Sequence, residues 1–365
     1  MPLVWFGLIL LCLLLYITLD GYDLGIGIAT LFERDPQRRH DMLELVAITW
    51  DANETWLVLL AVAMWAGFPL AYSTILPHAY LAVIVMLFSL IVRGVSVEMA
   101  SQKPPAPGWV KAFGIASLSA ALMQGVVAST LVANLTIRGG AYNGSAFGAY
   151  GWYSALAAAT VAAGYLAMGY AYTRWKTSGE LRARAGHRGT LATTAAVILG
   201  GASLGAVNAT AAPLMLNPGR LIPFIWLMAF AAAGIWTALR NLRPASTRFD
   251  ALPTIGLSVA AVAGLLAVAV TRYPILVPPA LTVYNALSPG RTMEFLAIGI
   301  GLDVPLILFY TWWAHYTFRG KLARAPQSHK LTRAQPVPAA SPGQPRPPNP
   351  PLPPRDNIDN PLEEI

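Results

Sequence analysis

The sequence predicts an all-α integral membrane protein with about nine transmembrane helices. Of its 365 residues, 56% are hydrophobic and only 12% are charged, about half the charged share of an ordinary soluble domain. Long stretches such as residues 57–76 and 252–270 contain no charged side chain at all. A helix needs about 20 apolar residues to cross roughly 30 Å of hydrocarbon, and it satisfies its own backbone polar groups there.

Nine apolar runs reach spanning length. They cover residues 3–32, 56–76, 79–99, 111–135, 148–174, 189–211, 221–239, 252–272 and 292–318. The short link Pro77–His78 predicts that the second and third spans form an antiparallel hairpin. A polytopic domain over residues 1–322 is therefore expected.

The distribution of lysine and arginine predicts the orientation of the chain. Loops after odd-numbered spans hold thirteen of these residues, whereas loops after even-numbered spans hold four. Because cytoplasmic loops are enriched in positive charge, the N-terminus is predicted to be periplasmic and the C-terminus cytoplasmic. The net charge of +8 is thus explained by the membrane, and no recognition helix or basic, aromatic-rich patch indicates nucleic acid.

The C-terminal segment 325–365 has a different composition. It holds 12 of the 29 prolines and no apolar run. Such a segment favours extended, solvated conformations and cannot bury a core. We predict a disordered cytoplasmic tail without a catalytic role.

The first predicted span contains acidic residues within the sequence LDGYDLGIG, residues 19–27. Asp20 and Asp23 are three positions apart and therefore share a helix face. Gly21 and Gly25 are four apart and would let a second helix approach closely. Ionisable side chains within a span are costly and usually face the protein interior.

A second acidic group, WDANETW at residues 50–56, precedes the second span. Asp51 and Glu54 again share a face, and Asn53 could hydrogen-bond either carboxylate. A plainer interpretation treats Asp51 as a helix cap and the flanking tryptophans, Trp50 and Trp56, as interface anchors.

Arg93 lies inside the third predicted span, and a buried arginine needs a carboxylate partner. The candidates at similar depth are Asp20, Asp23, Asp51 and Glu98, the last only five residues away. Asp303, in the middle of the ninth span, and Gln124, in the fourth, are further polar residues at membrane depth that could simply hydrogen-bond between helices.

Few residues are suited to hold a metal or haem. The single cysteine, Cys12, cannot form an internal disulfide or a zinc site and is predicted to pack in the first span. Haem needs an inward-facing axial ligand, but His78 and His315 lie at opposite ends of their spans and lack partners at the same depth. No metal site is predicted.

Several segments resemble, in order, the cytochrome bd oxidase subunit II family, including its cyanide-insensitive variants. The resemblance rests first on LDGYDLGIG and WDANETW. Further matches are Arg93, Gln124-Gly125, Gly179-Glu180-Leu181, Tyr273-Pro274, the run PLILFYTW at residues 305–312, and Gly320-Lys321. Together they cover about residues 1–322, and their order along nine predicted spans is more specific than any one motif.

The resemblance implies two four-helix bundles plus a peripheral helix, in a bacterial inner membrane. It implies a partner, subunit I, that carries haem b and haem d, or haem b only, and oxidises quinol while oxygen is reduced to water. This chain would then ligate no haem and would have no catalytic residue of its own. Whether a ubiquinone or a small accessory subunit also binds is left open.

Site roles also follow from the resemblance. Asp51 matches an acid at the cytoplasmic end of a proton path, with Asp20 and Asp23 as supporting acids. Glu54 is assigned to the same proton path, although some members of the family carry glutamine at that position. Trp56 resembles a tryptophan near an oxygen route.

Two other functions compete with the oxidase interpretation. A proton-coupled secondary transporter would use its membrane acids as a substrate site, although transporters often show inverted repeats and this sequence shows none. A purely structural membrane subunit is the other. The physical argument favours Asp51 as a relay if that carboxylate is partly desolvated, because desolvation raises a carboxylate's pKa.

Overall fold

The computed structural model of the protein describes residues 1–101, 107–133, 135–138, 141–145, 147–210, 218–243, 248–279 and 281–322. The helices are α1 (Pro2–Phe32), α2 (Pro36–Glu44), α3 (Trp50–Gly67), α4 (Pro69–Ser101), α5 (Pro107–Thr130), α6 (Trp152–Lys176), α7 (Gly179–Thr210), α8 (Pro218–Leu242), α9 (Leu252–Arg272) and α10 (Gly290–Thr317). The strands are β1 (Ile137–Arg138), β2 (Ala141–Tyr142), β3 (Ile275–Val277) and β4 (Leu281–Thr282). The tail predicted over residues 325–365 lies outside the described residues.

The helices agree with the predicted all-α membrane fold. Within the described ranges, eight helices are long and apolar enough to cross a membrane. The second predicted span corresponds to α3, which is not among these eight and has 18 residues, about 27 Å of helix. Asp51, Asn53 and Glu54 near its start interrupt the apolar character of α3.

The boundary between the second and third spans was predicted wrongly. The chain breaks at Phe68, and Pro77 lies inside α4, which kinks at Ala79. Phe68 precedes Pro69, and a residue before proline is disfavoured in the helical conformation. Pro69 instead begins α4, because the first turn of a helix tolerates a residue without an N–H group. The non-helical backbone at Ala79 lies two residues after Pro77.

Two further differences concern polar segments. α2 was not predicted, although Asp35 caps it by accepting a hydrogen bond from the Arg38 amide at 3.0 Å and Pro36 occupies its first turn. α7 begins at Gly179, ten residues before the predicted start, because its basic first turns are helical although they are not apolar. Gly179 has φ of 62°, a left-handed conformation that glycine adopts without steric cost.

The helices pack in two consecutive groups. The first group consists of α1, α3, α4 and α5. The second group consists of α6 to α9, and both α1 and α5 contact α6. α10 packs against α3. The chain alternates between two ends of this arrangement, which we call the α2 end, where α1, α6 and α8 finish, and the strand end, where both antiparallel strand pairs lie.

An ion-pair cluster around Asp250 ties three segments together at the α2 end. Its carboxylate accepts from Arg182 at 2.8 Å and from Lys321 at 2.9 Å, and Arg174 lies 3.3 Å away. Burial alone would raise the pKa of Asp250, but the hydrogen bonds and charges of Arg182 and Lys321 outweigh it and hold that pKa below its usual range. The segment after α10 is thereby fixed to the ends of α6 and α7.

Glu33 forms a second cluster at the same end. Its carboxylate contacts Arg38 of α2 at 3.1 Å and Arg188 of α7 at 3.2 Å. Burial favours a higher pKa for Glu33, but the Asp35 backbone N–H and the Arg38 guanidinium together lower it. Both clusters therefore remain ionised at neutral pH, and the Glu33 cluster joins the end of α1 and α2 to α7.

Candidate functional site

The acids predicted in the first two motifs meet Arg93 between α1, α3 and α4. Arg93 donates through Nη1 to Asp20 Oδ1 at 2.7 Å and through Nη2 to Glu54 Oε2 at 3.1 Å. The side chains of Arg93 and Asp20 are 0% exposed, whereas that of Glu54 is 22% exposed. One guanidinium thus bridges two carboxylates from different helices, a geometry for which its planar fork is suited.

Asp23 lies about one turn of α1 after Asp20 and contacts α3 through Asn53. It is fully buried, and its Oδ2 accepts from Asn53 Nδ2 at 2.7 Å. Asp20 and Asp23 share a face of α1, as the spacing predicts. Asp20 Oδ2 and Asp23 Oδ1 have no hydrogen-bond partner among the described residues, so each retains an oxygen that can accept a proton.

A hydrogen-bonded chain leads from Asp23 to α10. Asn53 Nδ2 also lies 3.1 Å from the Tyr22 hydroxyl, which lies 2.6 Å from His315 Nε2. His315 Nδ1 donates to the Thr311 carbonyl at 2.8 Å, so Nε2 of the neutral ring accepts from Tyr22. Sequence reasoning missed this connection, because Tyr22 and His315 are 293 positions apart.

Gln124 links α5 to the same region. It donates to the Tyr16 hydroxyl at 2.6 Å and accepts from Tyr165 at 2.8 Å. Tyr16 is four residues before Asp20 and therefore shares its helix face. The polar glutamine predicted to join helices does so, and it extends the polar cluster toward the strand end.

Asp51 occupies the first turn of α3 but is exposed in this chain. The partial desolvation expected for Asp51 is therefore absent from the described structure. Asp51 lies about one helical turn before Glu54, which is the half-buried carboxylate of the Asp20–Arg93–Glu54 triad. Asp51 thus lies on the solvent side of the acid cluster rather than inside it.

The predicted pairing of Arg93 with Glu98 is wrong. Arg93 bonds Asp20 and Glu54, as above, while Glu98 is exposed. Residues five apart on a helix point about 140° away from each other. Glu54, treated at first as a departure from the family motif, is the second partner of Arg93.

Trp56 is fully buried near the acids but belongs to an apolar cluster. The same cluster also contains Trp5, Cys12 and Leu59. Trp56 Nε1 has no hydrogen-bond acceptor within the described part of the chain. The ring therefore acts as a large apolar side chain, and it is not the interface anchor of the plainer interpretation.

The glycines of the first motif permit a close crossing of α1 and α6. A Cβ atom added at Gly25 would lie 1.7 Å from the Tyr165 carbonyl oxygen, and one at Gly169 would lie 2.2 Å from the carbonyl carbon of Gly25. The backbones touch at this point, as small residues at membrane-helix interfaces allow. The crossing fixes the height of Asp20 and Asp23 relative to α6.

An open cleft of about 540 Å³ lies between α1, α6, α8, α9 and α10. Its walls are largely apolar, with Phe230, Val262 and Leu266 among them, and Tyr22 and His315 line its polar part. The cleft therefore adjoins the hydrogen-bonded chain that reaches Asp23.

The described residues offer little to a metal. Across the described ranges no group of three or more His, Cys, Asp or Glu side chains is placed to hold a metal ion. Both ring nitrogens of His315 are engaged, and His78 Nδ1 lies 2.9 Å from the Tyr142 hydroxyl. His315 therefore has no ring nitrogen left for an iron atom in this arrangement.

Comparisons with known proteins agree with the geometry. The chain is 24% identical to cytochrome bd-I ubiquinol oxidase subunit 2 of Escherichia coli strain K12, over 88% of this chain and 95% of that protein. It is 25% identical to cytochrome bd ubiquinol oxidase subunit 2 of Bacillus subtilis strain 168, over 87% and 96% of the two chains. Among solved structures, the bd oxidase from Geobacillus thermodenitrificans matches with a TM-score of 0.69 and 15% identity, over 88% of this chain and 99% of that one.

The family described as cytochrome bd terminal oxidase subunit II matches residues 1–318, which include every element from α1 to α10. The chain belongs to the cytochrome bd terminal oxidase subunit II family.

Proposed function

We propose that this chain is the haem-free subunit of a quinol oxidase that reduces oxygen to water, and that it conducts protons toward the partner that performs the chemistry. The observation that carries the proposal is the Asp20–Arg93–Glu54 triad, which lies between exposed Asp51 and fully buried Asp23. Ionisable groups in spanning helices mark ion and proton pathways more often than they serve packing.

The proton path begins at the α2 end. Under the positive-inside rule, the excess of lysine and arginine places this end in the cytoplasm of a bacterial inner membrane, with the N-terminus periplasmic. Asp51 then faces cytoplasmic water and Glu54 is half-buried behind it. A proton taken up by Asp51 passes to Glu54 and then to Asp20 and Asp23, which have a free oxygen each.

Arg93 has a separate role in this scheme. It stays protonated because an arginine side chain does not lose its proton in proteins, so it carries no proton itself. Its charge offsets the cost of burying Asp20 and keeps the Glu54 and Asp20 carboxylates within reach of one guanidinium. Protonation of either acid is thereby coupled to the other, as expected for interacting carboxylates.

The haem groups are assigned to subunit I. Both ring nitrogens of His315, the histidine nearest the buried acids, are already hydrogen-bonded, and the described residues place no group of three or more His, Cys, Asp or Glu side chains to hold a metal ion. Haem b and haem d, or haem b only, would bind oxygen and carry electrons from quinol in the partner. The role of this chain is to hold and move protons at carboxylate oxygens and to support the partner.

We place a bound ubiquinone, which the family resemblance leaves open, in the cleft beside Tyr22 and His315. An apolar cleft with a few polar groups at one part suits a molecule with a polar ring and a long apolar tail. Such a ubiquinone would be structural in this position, and a small accessory subunit stays open as before.

Replacing Asp51 by asparagine is expected to lower oxidase turnover several-fold while haem content stays unchanged. Asparagine keeps the size of the side chain and removes the proton acceptor at the cytoplasmic end. Oxygen consumption with an excess of quinol measures turnover, and the haem spectrum measures assembly. Glu44→Gln, on a partly exposed acid of α2 that contacts His40 at the same end, is the control and should retain full turnover. Normal turnover in assembled Asp51→Asn would remove Asp51 from the path.

Replacing Trp56 by alanine is expected to change the apparent oxygen affinity more than the maximal rate. Trp56 fills an apolar cluster within this chain, and an apolar gas crosses such a region more readily than a hydrated one. Oxygen-concentration series on the assembled complex separate the two quantities. Trp65→Ala, on the same helix but 64% exposed, serves as the control. Equal oxygen affinity in Trp56→Ala and the unaltered complex would contradict an oxygen route there.

The assignment as a whole is tested by purification. Tagged chain extracted from its native membrane in mild detergent should carry a second large subunit with haem absorbance. That absorbance should respond to quinol and to oxygen. A colourless chain without such a partner would contradict the oxidase and favour proton-coupled transport.

A further inference from the structure

Asp303 lies at membrane depth on α10 but faces away from the chain. It is the fourteenth of the 28 residues of α10, so about 20 Å of helix extends from it toward each end. Its side chain is exposed. A carboxylate at the centre of a bilayer costs several kcal/mol, and the acids of α1 avoid this cost by burial against Arg93 and Asn53.

The described part of the chain offers Asp303 no equivalent partner. No hydrogen bond or ion pair joins it to another described residue, whereas Thr311 and His315 of the same helix are bonded to each other. α10 packs against α3 through a face that includes the buried residues Met293 and Ile300. Asp303 lies on the flank of that face, about 60° from Ile300 around the helix.

Asp303 belongs to a stripe of exposed residues with helical spacing, which we call the Asp303 stripe. Its members are Gly299, Asp303, Leu306 and Tyr310. Leu306 is 65% and Tyr310 54% exposed, and a Cβ atom added at Gly299 would meet nothing within 4 Å. A glycine four residues before the acid leaves room for another helix backbone to approach it.

We propose that the Asp303 stripe is a docking surface for a spanning helix of the haem-bearing partner subunit, and that a cationic or hydroxyl side chain of that helix bonds the Asp303 carboxylate near the middle of the membrane. The inference rests on the proposed function, since it takes the partner from there. Charge complementarity identifies the occupant, because lipid tails offer the carboxylate no donor.

A second copy of this chain fits the stripe less well. Two identical chains related by a two-fold axis would present the same patch to each other. Two Asp303 carboxylates would then face one another at membrane depth without a cation between them. A different subunit can supply the complementary donor. Protection of Asp303 by a second copy of this chain would therefore contradict the proposal.

Carbodiimide labelling tests whether the partner covers Asp303. Dicyclohexylcarbodiimide dissolves in lipid and modifies protonated carboxyl groups there. In the intact complex, peptide mapping should find little modification of Asp303, and dissociation of the haem-bearing subunit should raise it several-fold. Equal modification in the intact and dissociated states would place Asp303 against lipid and overturn the inference. Protection within a haem-free homodimer would overturn it as well.

Variants on α10 supply an independent measurement. Asp303→Leu should reduce the ratio of haem to tagged chain several-fold after detergent washing, and Asp303→Asn should reduce it less, because its amide still bonds a donor. Leu306→Ala, on the stripe, should weaken retention, whereas Leu308→Ala, 38% exposed and about 160° around α10 from Leu306, should not. Equal haem retention in all four variants would overturn the proposal that the stripe is a docking surface. The proposed oxidase function would still stand in that case, because the unaltered chain would carry its haem-bearing partner. If the unaltered chain carried no haem subunit, the proposed function would fail with it.

Discussion

Replacing Arg93 by leucine is expected to destabilise the complex by about 3–5 kcal/mol, because removing one partner of a buried ion pair leaves an uncompensated charge. Asp20 is 0% exposed beside Arg93, and Glu54 and Asp23 would add like charges. Thermal unfolding of the purified complex, followed by loss of the haem spectrum, measures the effect. We expect oxidase turnover to be lost with it.

Two companion variants separate stability from proton movement. Arg93→Lys keeps the charge but replaces the two-pronged guanidinium by a single ammonium, so it should fall between the unaltered chain and Arg93→Leu. Arg93→Leu combined with Asp20→Asn removes the charge that is left unpaired and should regain stability without regaining turnover. If Arg93→Leu unfolded at the same temperature as the unaltered complex, the triad would not stabilise the fold.

Replacing Gly25 by alanine is expected to prevent assembly almost completely. The added Cβ atom would lie 1.7 Å from the Tyr165 carbonyl oxygen, and this neighbour is helix backbone that cannot rotate away. Overpacking a core usually costs about 1–3 kcal/mol, and separating α1 from α6 should exceed that range. The amount of haem-bearing complex recovered from membranes measures the outcome.

Matched glycines on the same two helices control for helix propensity. Gly7 on α1 and Gly164 on α6 have nothing within 4 Å of an added Cβ atom. Alanine favours a helix over glycine by up to about 1 kcal/mol, so Gly7→Ala and Gly164→Ala should assemble normally or slightly better. Normal assembly of Gly25→Ala would show that the crossing can relax and would contradict its role.

Much of the fold could be predicted because lipid leaves the chain few alternatives. α9 has the predicted bounds, and most other spans differ by a few residues at each end. The errors concern segments where composition and backbone preference disagree. Leu70 to Leu76 continues the apolar run, yet Pro69 starts a new helix there. The polar first turns of α7 and the whole of α2 are helical without being apolar, and only caps and turn glycines mark them.

The sequence predicted which residues form the site better than it predicted which of them bond to each other. Spacing of three places Asp20 with Asp23 and Asp51 with Glu54, but it cannot choose which carboxylate meets Arg93. That choice depends on how α1, α3 and α4 are rotated against each other. Tyr22 and His315 were out of reach for the same reason, since nothing local in the sequence marks two residues from opposite ends of the chain as neighbours.

The bonds of Asn53 determine which side of the acid cluster can exchange protons. Its amide nitrogen donates to both Asp23 and Tyr22, while the Tyr22 hydroxyl proton points toward His315. An amide releases its hydrogen far less readily than a carboxylic acid does, so Asn53 insulates Asp23 from the imidazole. Asp23 would therefore gain and lose its proton through Asp20. An apolar molecule could then occupy the cleft beside His315 without opening a route by which protons leave the path.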